Sequence, residues 1–242
     1  MSDSVLQVHA LSKRFGGFAA LTSVSIAVSR GERLGIIGPN GSGKTTLINC
    51  ICGALRSDAG AIRFEDTDIT RLPPYRRTRL GLARSFQIPR PFPSMTVAGN
   101  VAVALEYAAH RELRRRLDIA AETLWMLARM GLGDKAETLA SALTQVDLRK
   151  LELARALATR PRLLILDEVM AGLTASEVDE MLGMVLTVNE SGVTVIMIEH
   201  IMRAIMRFSQ RVLCLDAGQV IAEGSPQEVV EDANVQRVYL GG

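Results

Sequence analysis

Apolar residues along this chain follow three patterns in turn. Near the start, short runs rich in β-branched residues are separated by glycine, aspartate and serine, which is typical of strands joined by turns. A middle segment at about 97–157 is rich in alanine, leucine and arginine and has helical periodicity. The runs 163–166 and 193–198 are continuously apolar, as expected of strands buried on both faces of a parallel sheet. The early strands are predicted at 5–8, 24–28, 33–37 and 61–64.

The order of these elements predicts an α/β fold. The early strands are expected to form a small, largely antiparallel sheet that merges into the core. Residues 175–188 predict a crossover helix between the two buried strands, and residues 212–222 predict a hairpin with Asp216, Ala217 and Gly218 in its turn. No internal repeat, linker or low-complexity segment interrupts the chain, so one compact domain is expected.

Composition narrows the class of protein without naming a ligand. The 242 residues include 28 basic and 26 acidic side chains, and a net charge of +2 gives no reason to expect a nucleic-acid partner. Cys50, Cys52 and Cys214 lack metal or redox spacing and are expected to be reduced, buried thiols. Neither an export signal nor an apolar run of membrane-spanning length is evident, so a soluble chain is expected.

The segment GPNGSGKTT at 38–46 predicts a phosphate-binding loop, because it follows the strand 33–37 and leads into a helix. Its glycines let backbone N–H groups point at phosphate oxygens, and the helix N-terminus adds positive potential. Lys44 is expected to reach the β- and γ-phosphates, and the Thr45 hydroxyl to bind Mg²⁺. The predicted nucleotide-binding residues are Gly38, Pro39, Asn40, Gly41, Ser42, Gly43, Lys44, Thr45 and Thr46.

Two carboxylates and a histidine follow the buried strands. Asp167 and Glu168 end the run LLILDE, which places Asp167 near the metal of a P-loop fold and Glu168 in position to activate water. Taken alone, such a pair is sometimes only a strand end. His200 ends the next buried strand and is expected to contact the γ-phosphate, although a lone histidine there is more often structural.

Over nearly its whole length, this arrangement resembles the ATP-binding subunits of ABC transporters. The resemblance implies a P-loop NTPase (RecA-like) core, an antiparallel β subdomain and a helical signature subdomain at about 90–157, all in one ABC-type ATPase domain spanning 1–242. It implies ATP and Mg²⁺ as cofactors and catalytic roles for Glu168 and His200. It also implies that Phe15 in LSKRFGG stacks on adenine. Gln87 in RSFQIPRPF would contact the metal and the attacking water, and would sense the membrane partner.

Within that family, the chain looks most like the ATPases of branched-chain amino-acid transporters. The segments FQIPRPFPSMTV and EHIMRAIM and the tail from 220 to 242 carry this likeness. It implies import of a small polar solute through transmembrane permease subunits, with an indirect contribution from a solute-binding protein. The chain would lie peripherally on the cytoplasmic face of the inner (plasma) membrane. The alternatives are an ATPase of the lipopolysaccharide-export type and a regulatory nucleotide-binding subunit with negligible turnover.

The segment LTQVD at 143–147 departs from the family, which has LSGGQ there. In the family, two ATPase subunits pair head to tail and each signature closes over the nucleotide of the other. Val146 resists a positive φ and brings methyl groups toward a phosphate, and Asp147 near the triphosphate would add repulsion unless Mg²⁺ or an arginine screens it. The sequence therefore predicts a weakened signature in a homodimer, or an asymmetric pair with a second ATPase subunit. The following AGLT at 171–174 also lacks the aspartate common in the family.

Overall fold

The computed structural model describes residues 4–85, 89–108 and 118–240. A four-stranded antiparallel sheet has the order β2-β1-β4-β5. Its strands are longer than the apolar runs predicted, because β1 and β2 continue as a hairpin beyond their buried residues. These strands are β1 (Ser4–Phe15), β2 (Phe18–Ser29), β4 (Ala59–Phe64) and β5 (Thr67–Asp68).

A six-stranded sheet with the order β10-β9-β3-β8-β7-β6 forms the centre of the molecule. Its strands are β3 (Arg33–Ile37), β6 (Leu82–Arg84), β7 (Leu163–Asp167), β8 (Thr194–Ile198), β9 (Arg211–Asp216) and β10 (Gln219–Gly224). All neighbours are parallel except the β9–β10 hairpin. The early run 33–37 thus belongs to this sheet and not to the antiparallel one.

Burial on both faces explains why β7 and β8 read as uninterrupted apolar runs. Alternate residues enter two separate cores: Leu164 and Leu166 pack into one, whereas Leu163 and Ile165 pack into the other. The carboxyl ends of β3, β7 and β8 therefore lie side by side at one edge. In open parallel sheets, this edge is where ligands bind.

Helices cover both faces of the central sheet. The described helices are α1 (Lys44–Cys52), α2 (Pro74–Arg79), α3 (Val97–Ala108), α4 (Ile119–Arg129), α5 (Gln145–Ala158), α6 (Ala175–Glu190), α7 (Met202–Phe208), α8 (Pro226–Glu231) and α9 (Ala233–Leu240). The helix α3 packs on α4 and α5 to form a helical lobe. Among the described residues, no helix is both long and apolar enough to cross a membrane.

Local sequence signals explain several boundaries. The β9–β10 turn has positive φ at Ala217 (42°) and Gly218 (76°), the type I′ geometry that suits a two-residue hairpin. The crossover helix α6 begins at a capping box in which Thr174 and Glu177 satisfy each other's backbone N–H groups. These features confirm the α/β class, the predicted hairpin and the predicted crossover helix.

Candidate active site

The loop between β3 and α1 adopts a conformation that only glycine tolerates. Gly38, Gly41 and Gly43 have φ of 149°, 80° and 106°. A Cβ on Gly43 would lie 2.6 Å from the carbonyl oxygen of Ala20, and a Cβ on Gly38 would lie 2.2 Å from that of Leu215. The loop is therefore packed against its neighbours from behind, which leaves its other side open to a ligand. This geometry suits an anion held by backbone N–H groups.

Lys44 is the first residue of α1 and is only 6% exposed. Its Nζ donates to the carbonyl oxygens of Gly38 (2.7 Å) and Pro39 (2.9 Å), so the ammonium spans the loop. Burial lowers the pKa of Lys44, and the carboxylates of Glu168 and Asp167 oppose that effect. A partly desolvated ammonium held inside a glycine loop is well placed to exchange carbonyl contacts for phosphate oxygens.

Asp167, at the end of β7, is 4% exposed and is held by an arginine that the sequence analysis did not single out. Nη2 of Arg84 donates to Oδ2 of Asp167 at 2.6 Å, and Nη1 donates to Oδ1 of Asn49 on α1, also at 2.6 Å. The guanidinium fork fixes the carboxylate at the edge of the sheet, beside α1. Arg84 is the last residue of the three-residue strand β6, and no motif or spacing in the sequence indicates its contact with Asp167.

The donor atoms near the loop fit Mg²⁺. The Thr45 hydroxyl, on an exposed residue of α1, and the Asp167 carboxylate are hard oxygen ligands. Within the described residues, no group of three or more His, Cys, Asp or Glu side chains forms an all-protein metal cage. One hydroxyl and one carboxylate fit a Mg²⁺ whose remaining ligands are phosphate oxygens and water.

Glu168 and His200 meet across neighbouring strands. Nε2 of His200 lies 2.8 Å from Oε1 of Glu168. Glu168 has a positive φ of 50°, which is unusual for a residue with a Cβ. Its backbone N–H donates to the carbonyl oxygen of Ile198 at 2.9 Å. The strand ends thus bring together the acid and the histidine that the sequence predicted as catalytic.

Comparison with known proteins decides the family. A model described as ABC transporter matches residues 21–171. The chain belongs to this family. A second model, described as branched-chain amino acid ATP-binding cassette transporter, matches residues 219–242.

The similarity extends over full-length relatives of this ABC protein. The probable branched-chain amino acid transport ATP-binding protein LivG of Archaeoglobus fulgidus is 36% identical, covering 98% of this chain and 95% of the relative. The high-affinity branched-chain amino acid transport ATP-binding protein BraF of Pseudomonas aeruginosa is 35% identical, covering 100% and 99%.

Solved structures give the same result for the fold of the ABC chain. A nucleotide-free ATP-binding cassette from an ABC transporter has a TM-score of 0.88 at 31% identity, covering 99% of this chain and 100% of that chain. An ATP-binding cassette in its ADP conformation also has a TM-score of 0.88, at 30% identity, with 100% of both chains covered. The chain is an ATPase with the P-loop fold.

The segment 143–147, where the resemblance placed the family's signature, leads into the start of α5. Thr144 is the N-cap, and its Oγ1 accepts from the N–H of Asp147 at 3.3 Å. Gln145 and Val146 are the first helical residues and are not among those with positive φ. The expectation that Val146 would strain a positive φ is therefore wrong, because the helix already begins there.

The charge of Asp147 is screened within the chain by a lysine, whereas the sequence suggested Mg²⁺ or an arginine for that role. Its carboxylate is buried and accepts from Nζ of Lys135 and Oγ1 of Thr144, both at 2.7 Å. Burial raises the pKa of Asp147, but these two hydrogen bonds outweigh burial and leave it below its ordinary value. As the third residue of α5, Asp147 turns back to the cap and its charge is neutralised by Lys135.

The sequence also predicted contacts of Phe15 with the adenine and of Gln87 with the metal, and only Phe15 is among the described residues. Phe15 ends β1, is 48% exposed, and has Nζ of Lys13 5.6 Å from its ring centre. An exposed ring at the end of a strand is available for stacking on a base. Gln87 lies outside the described residues.

The C-terminal segment reaches the nucleotide loop, which no sequence signal predicted. Oη of Tyr239, on α9, accepts from the backbone N–H of Gly38 at 2.7 Å. Burial raises the pKa of Tyr239 to about 12, so the phenol stays protonated near neutral pH. The segment matched by the branched-chain amino acid model thus contacts the first glycine of the loop.

Proposed function

We propose that this chain is the ATP-hydrolysing subunit of an importer for branched-chain or related amino acids. The carrying observation is the full-length similarity to relatives named as branched-chain amino acid transport ATP-binding proteins, at 36% and 35% identity. The separate match of residues 219–242 to the branched-chain amino acid model supports the same subgroup. The contact of Tyr239 with Gly38 gives that subgroup-specific tail a physical connection to the nucleotide loop.

The geometry of the described residues is consistent with the following roles, and the role of Gln87 rests on the family resemblance alone. Lys44 and the loop 38–46 hold the phosphates, and Phe15 packs against the adenine. Thr45, Gln87 and Asp167 would hold Mg²⁺, which when bound would neutralise charge on the phosphate oxygens. Arg84 keeps the Asp167 carboxylate in place.

Glu168 and His200 act together on the attacking water. Oε1 of Glu168 accepts a proton from the water. The water oxygen then becomes a better nucleophile toward the γ-phosphorus. Nε2 of His200, 2.8 Å from Oε1 of Glu168, orients the carboxylate. The family resemblance implies that the imidazole also contacts the γ-phosphate. Catalysis then comes mainly from orientation and charge stabilisation, as in other phosphoryl transfers.

The membrane partner is proposed to contact the helical lobe. Phe92, 44% exposed, lies in the proline-rich loop that follows Gln87. That loop is hydrogen-bonded to two helices of the lobe: the N–H of Phe92 donates to Oδ1 of Asn100 on α3 at 2.7 Å, and Arg155 on α5 donates to the carbonyl oxygen of Arg90 at 2.7 Å. Pressure from a permease subunit on this loop would therefore reach the signature helix. This docking places the chain peripherally on the cytoplasmic face of the membrane.

Solute-dependent hydrolysis tests the importer proposal. The complex of the chain with its membrane subunits is purified and reconstituted in liposomes. The cognate solute-binding protein is then added. Leucine, isoleucine or valine should stimulate ATP hydrolysis and enter the liposomes, and Glu168→Gln should abolish both effects. Hydrolysis that responds to none of these amino acids but to a lipid substrate would replace this proposal with the export alternative.

We also propose that the chain works in an asymmetric pair with a second ATPase. The supporting observation is steric. The Gln145 side chain is exposed at the start of α5, beside Gly172, where a Cβ would lie 3.9 Å from Oε1 of Gln145. We infer that Gln145 and Val146 fill space that glycines would leave for a partner's phosphate. A second subunit with glycines in its signature would complete the nucleotide site of this chain.

Restoring the glycines should raise hydrolysis by the chain alone. We expect Gln145→Gly/Val146→Gly to increase the steady-state rate by about tenfold or more. Hydrogen bonds to a charged phosphate contribute about 1.5 kcal/mol or more, which corresponds to at least about tenfold in rate. Two helical glycines cost up to about 1 kcal/mol each, so the variant should still fold. Adding Glu168→Gln should silence it. A rate equal to that of the wild-type homodimer would show that LTQVD closes the site as it stands.

A further inference from the structure

Glu199 lies between the end of β8 and His200, and none of the roles assigned above uses it. It is 2% exposed, one of the few buried carboxylates in the described chain. Its Oε1 accepts from the backbone N–H of Met170 at 2.9 Å, and the backbone N–H of His200 also donates to the carboxylate. The side chain therefore spans from the end of β8 to the segment that follows β7.

Among the described residues, three contacts between these two segments bear on the position of Glu168. The N–H of Glu168 donates to the carbonyl oxygen of Ile198 at 2.9 Å, and Glu168 itself meets His200 at 2.8 Å. The third contact is the bond from Met170 to Glu199. Of these three contacts, only the bond from Met170 to Glu199 involves a side chain with no catalytic role assigned so far.

Glu168 needs such support because of its backbone. A φ of 50° at a residue with a Cβ costs on the order of 1 kcal/mol or more and persists only where the surroundings hold it. The bond at Met170 fixes the chain two residues downstream, and the bond to Ile198 fixes Glu168 itself. Without the downstream bond, the turn is free to relax toward a common conformation and to carry the Glu168 carboxylate away from His200.

We propose that Glu199 is a positioning residue for ATP hydrolysis: by pinning the backbone of Met170, it holds Glu168 in the left-handed turn that sets its carboxylate beside His200. The proposal rests on the catalytic role proposed for Glu168. It adds a residue that touches neither nucleotide nor metal and acts through backbone geometry.

The charges around Glu199 give this contact a pH dependence. Burial raises the pKa of Glu199 to about 7; the N–H of Met170 lowers it, the charge of Glu168 raises it, and the N–H of His200 and the Arg149 guanidinium on α5 lower it. Protonation removes acceptor capacity from an oxygen that faces backbone N–H groups. Activity should therefore fall as the pH drops through about 7.

Single-turnover hydrolysis with the full-length chain in excess over radiolabelled ATP tests the proposal. The variants are Glu199→Met, which keeps the side-chain volume without an acceptor, and Glu199→Gln, which keeps one acceptor oxygen. Glu190→Gln, at the exposed end of α6, is the matched control. Both the rate at saturating protein and the protein concentration giving half that rate are measured.

Glu199→Met should lower the saturating rate by about 10- to 100-fold, the cost of a displaced catalytic group, with half-saturation changed less than about threefold. Glu199→Gln should recover to within about fivefold of wild type and lose the fall in rate between pH 8 and pH 6. A saturating rate of Glu199→Met within twofold of wild type would overturn the proposal. So would a Glu199→Gln pH profile identical to that of wild type, which decides the matter if Glu199→Met does not fold.

Glu168→Gln in the same assay separates the two ideas. If Glu168→Gln still hydrolyses ATP, the general-base role proposed for Glu168 fails, whatever Glu199 does. If Glu168→Gln is silent and Glu199→Met is not impaired, only the positioning role fails.

Discussion

Glu168→Gln should lower ATP hydrolysis by about 10²- to 10⁴-fold, the usual contribution of a positioned general base. Glutamine has nearly the same shape, and its amide can still approach His200, but it cannot accept the proton of the attacking water. Lys44 and the loop around Gly38 and Gly43 are untouched, so MgATP should bind with a Kd within about threefold of wild type. Nucleotide binding by fluorescence, beside hydrolysis by phosphate release, separates the two effects.

Glu190→Gln is the control for this substitution, because it makes the same chemical change at an exposed position on α6. Its hydrolysis rate should match that of wild type. If Glu168→Gln kept more than about a tenth of the wild-type rate, the carboxylate beside His200 would not be the base.

Lys44→Met should weaken MgATP binding by about 10- to 100-fold, because hydrogen bonds to a charged group contribute roughly 1.5–3 kcal/mol. Methionine retains most of the buried alkyl chain but has no ammonium for phosphate oxygens. The ATP concentration giving half-maximal hydrolysis should rise and the maximal rate should fall, since the same charge stabilises the transition state. Isothermal titration with MgATP measures the affinity directly.

The same substitution should leave the fold nearly as stable as before. It removes an ammonium whose burial already lowers its pKa, but it also leaves the carbonyl oxygens of Gly38 and Pro39 without their donor. These effects oppose each other, so the Tm should change by no more than about 4 °C, which corresponds to about 1 kcal/mol. A large loss of Tm would mean that Lys44 serves the loop and not the ligand.

Local patterns predicted the elements that carry the site. The uninterrupted apolar runs of β7 and β8 reflect burial on both faces, and the glycines at 38, 41 and 43 are required by the conformation of the loop. Because parallel strands end at the same edge, the residues following those runs could be placed together from the sequence alone. The meeting of Glu168 with His200 is the direct consequence.

Contacts between residues distant in the chain could not be predicted this way. Arg84 reaches Asp167 across 83 positions, and Tyr239 reaches Gly38 across 201. Neither pairing follows from spacing or periodicity. For Asp147, the sequence suggested a repulsion that the structure removes. Its charge suggested repulsion near a phosphate, but Lys135, 12 positions away, neutralises that charge.

In the proposed pair, the signature segment of one subunit completes the nucleotide site formed by the phosphate-binding loop of the other. A complementation experiment tests this directly. Wild-type chain is mixed with a helper copy carrying Lys44→Met, Gln145→Gly and Val146→Gly, which offers a glycine signature but a crippled phosphate loop. The mixture should hydrolyse ATP about tenfold or more faster than either component alone, and Glu168→Gln in the chain with the intact loop should abolish the gain. A mixture no faster than the sum of its components would contradict the claim that this chain has a sound catalytic half and takes its signature from a partner.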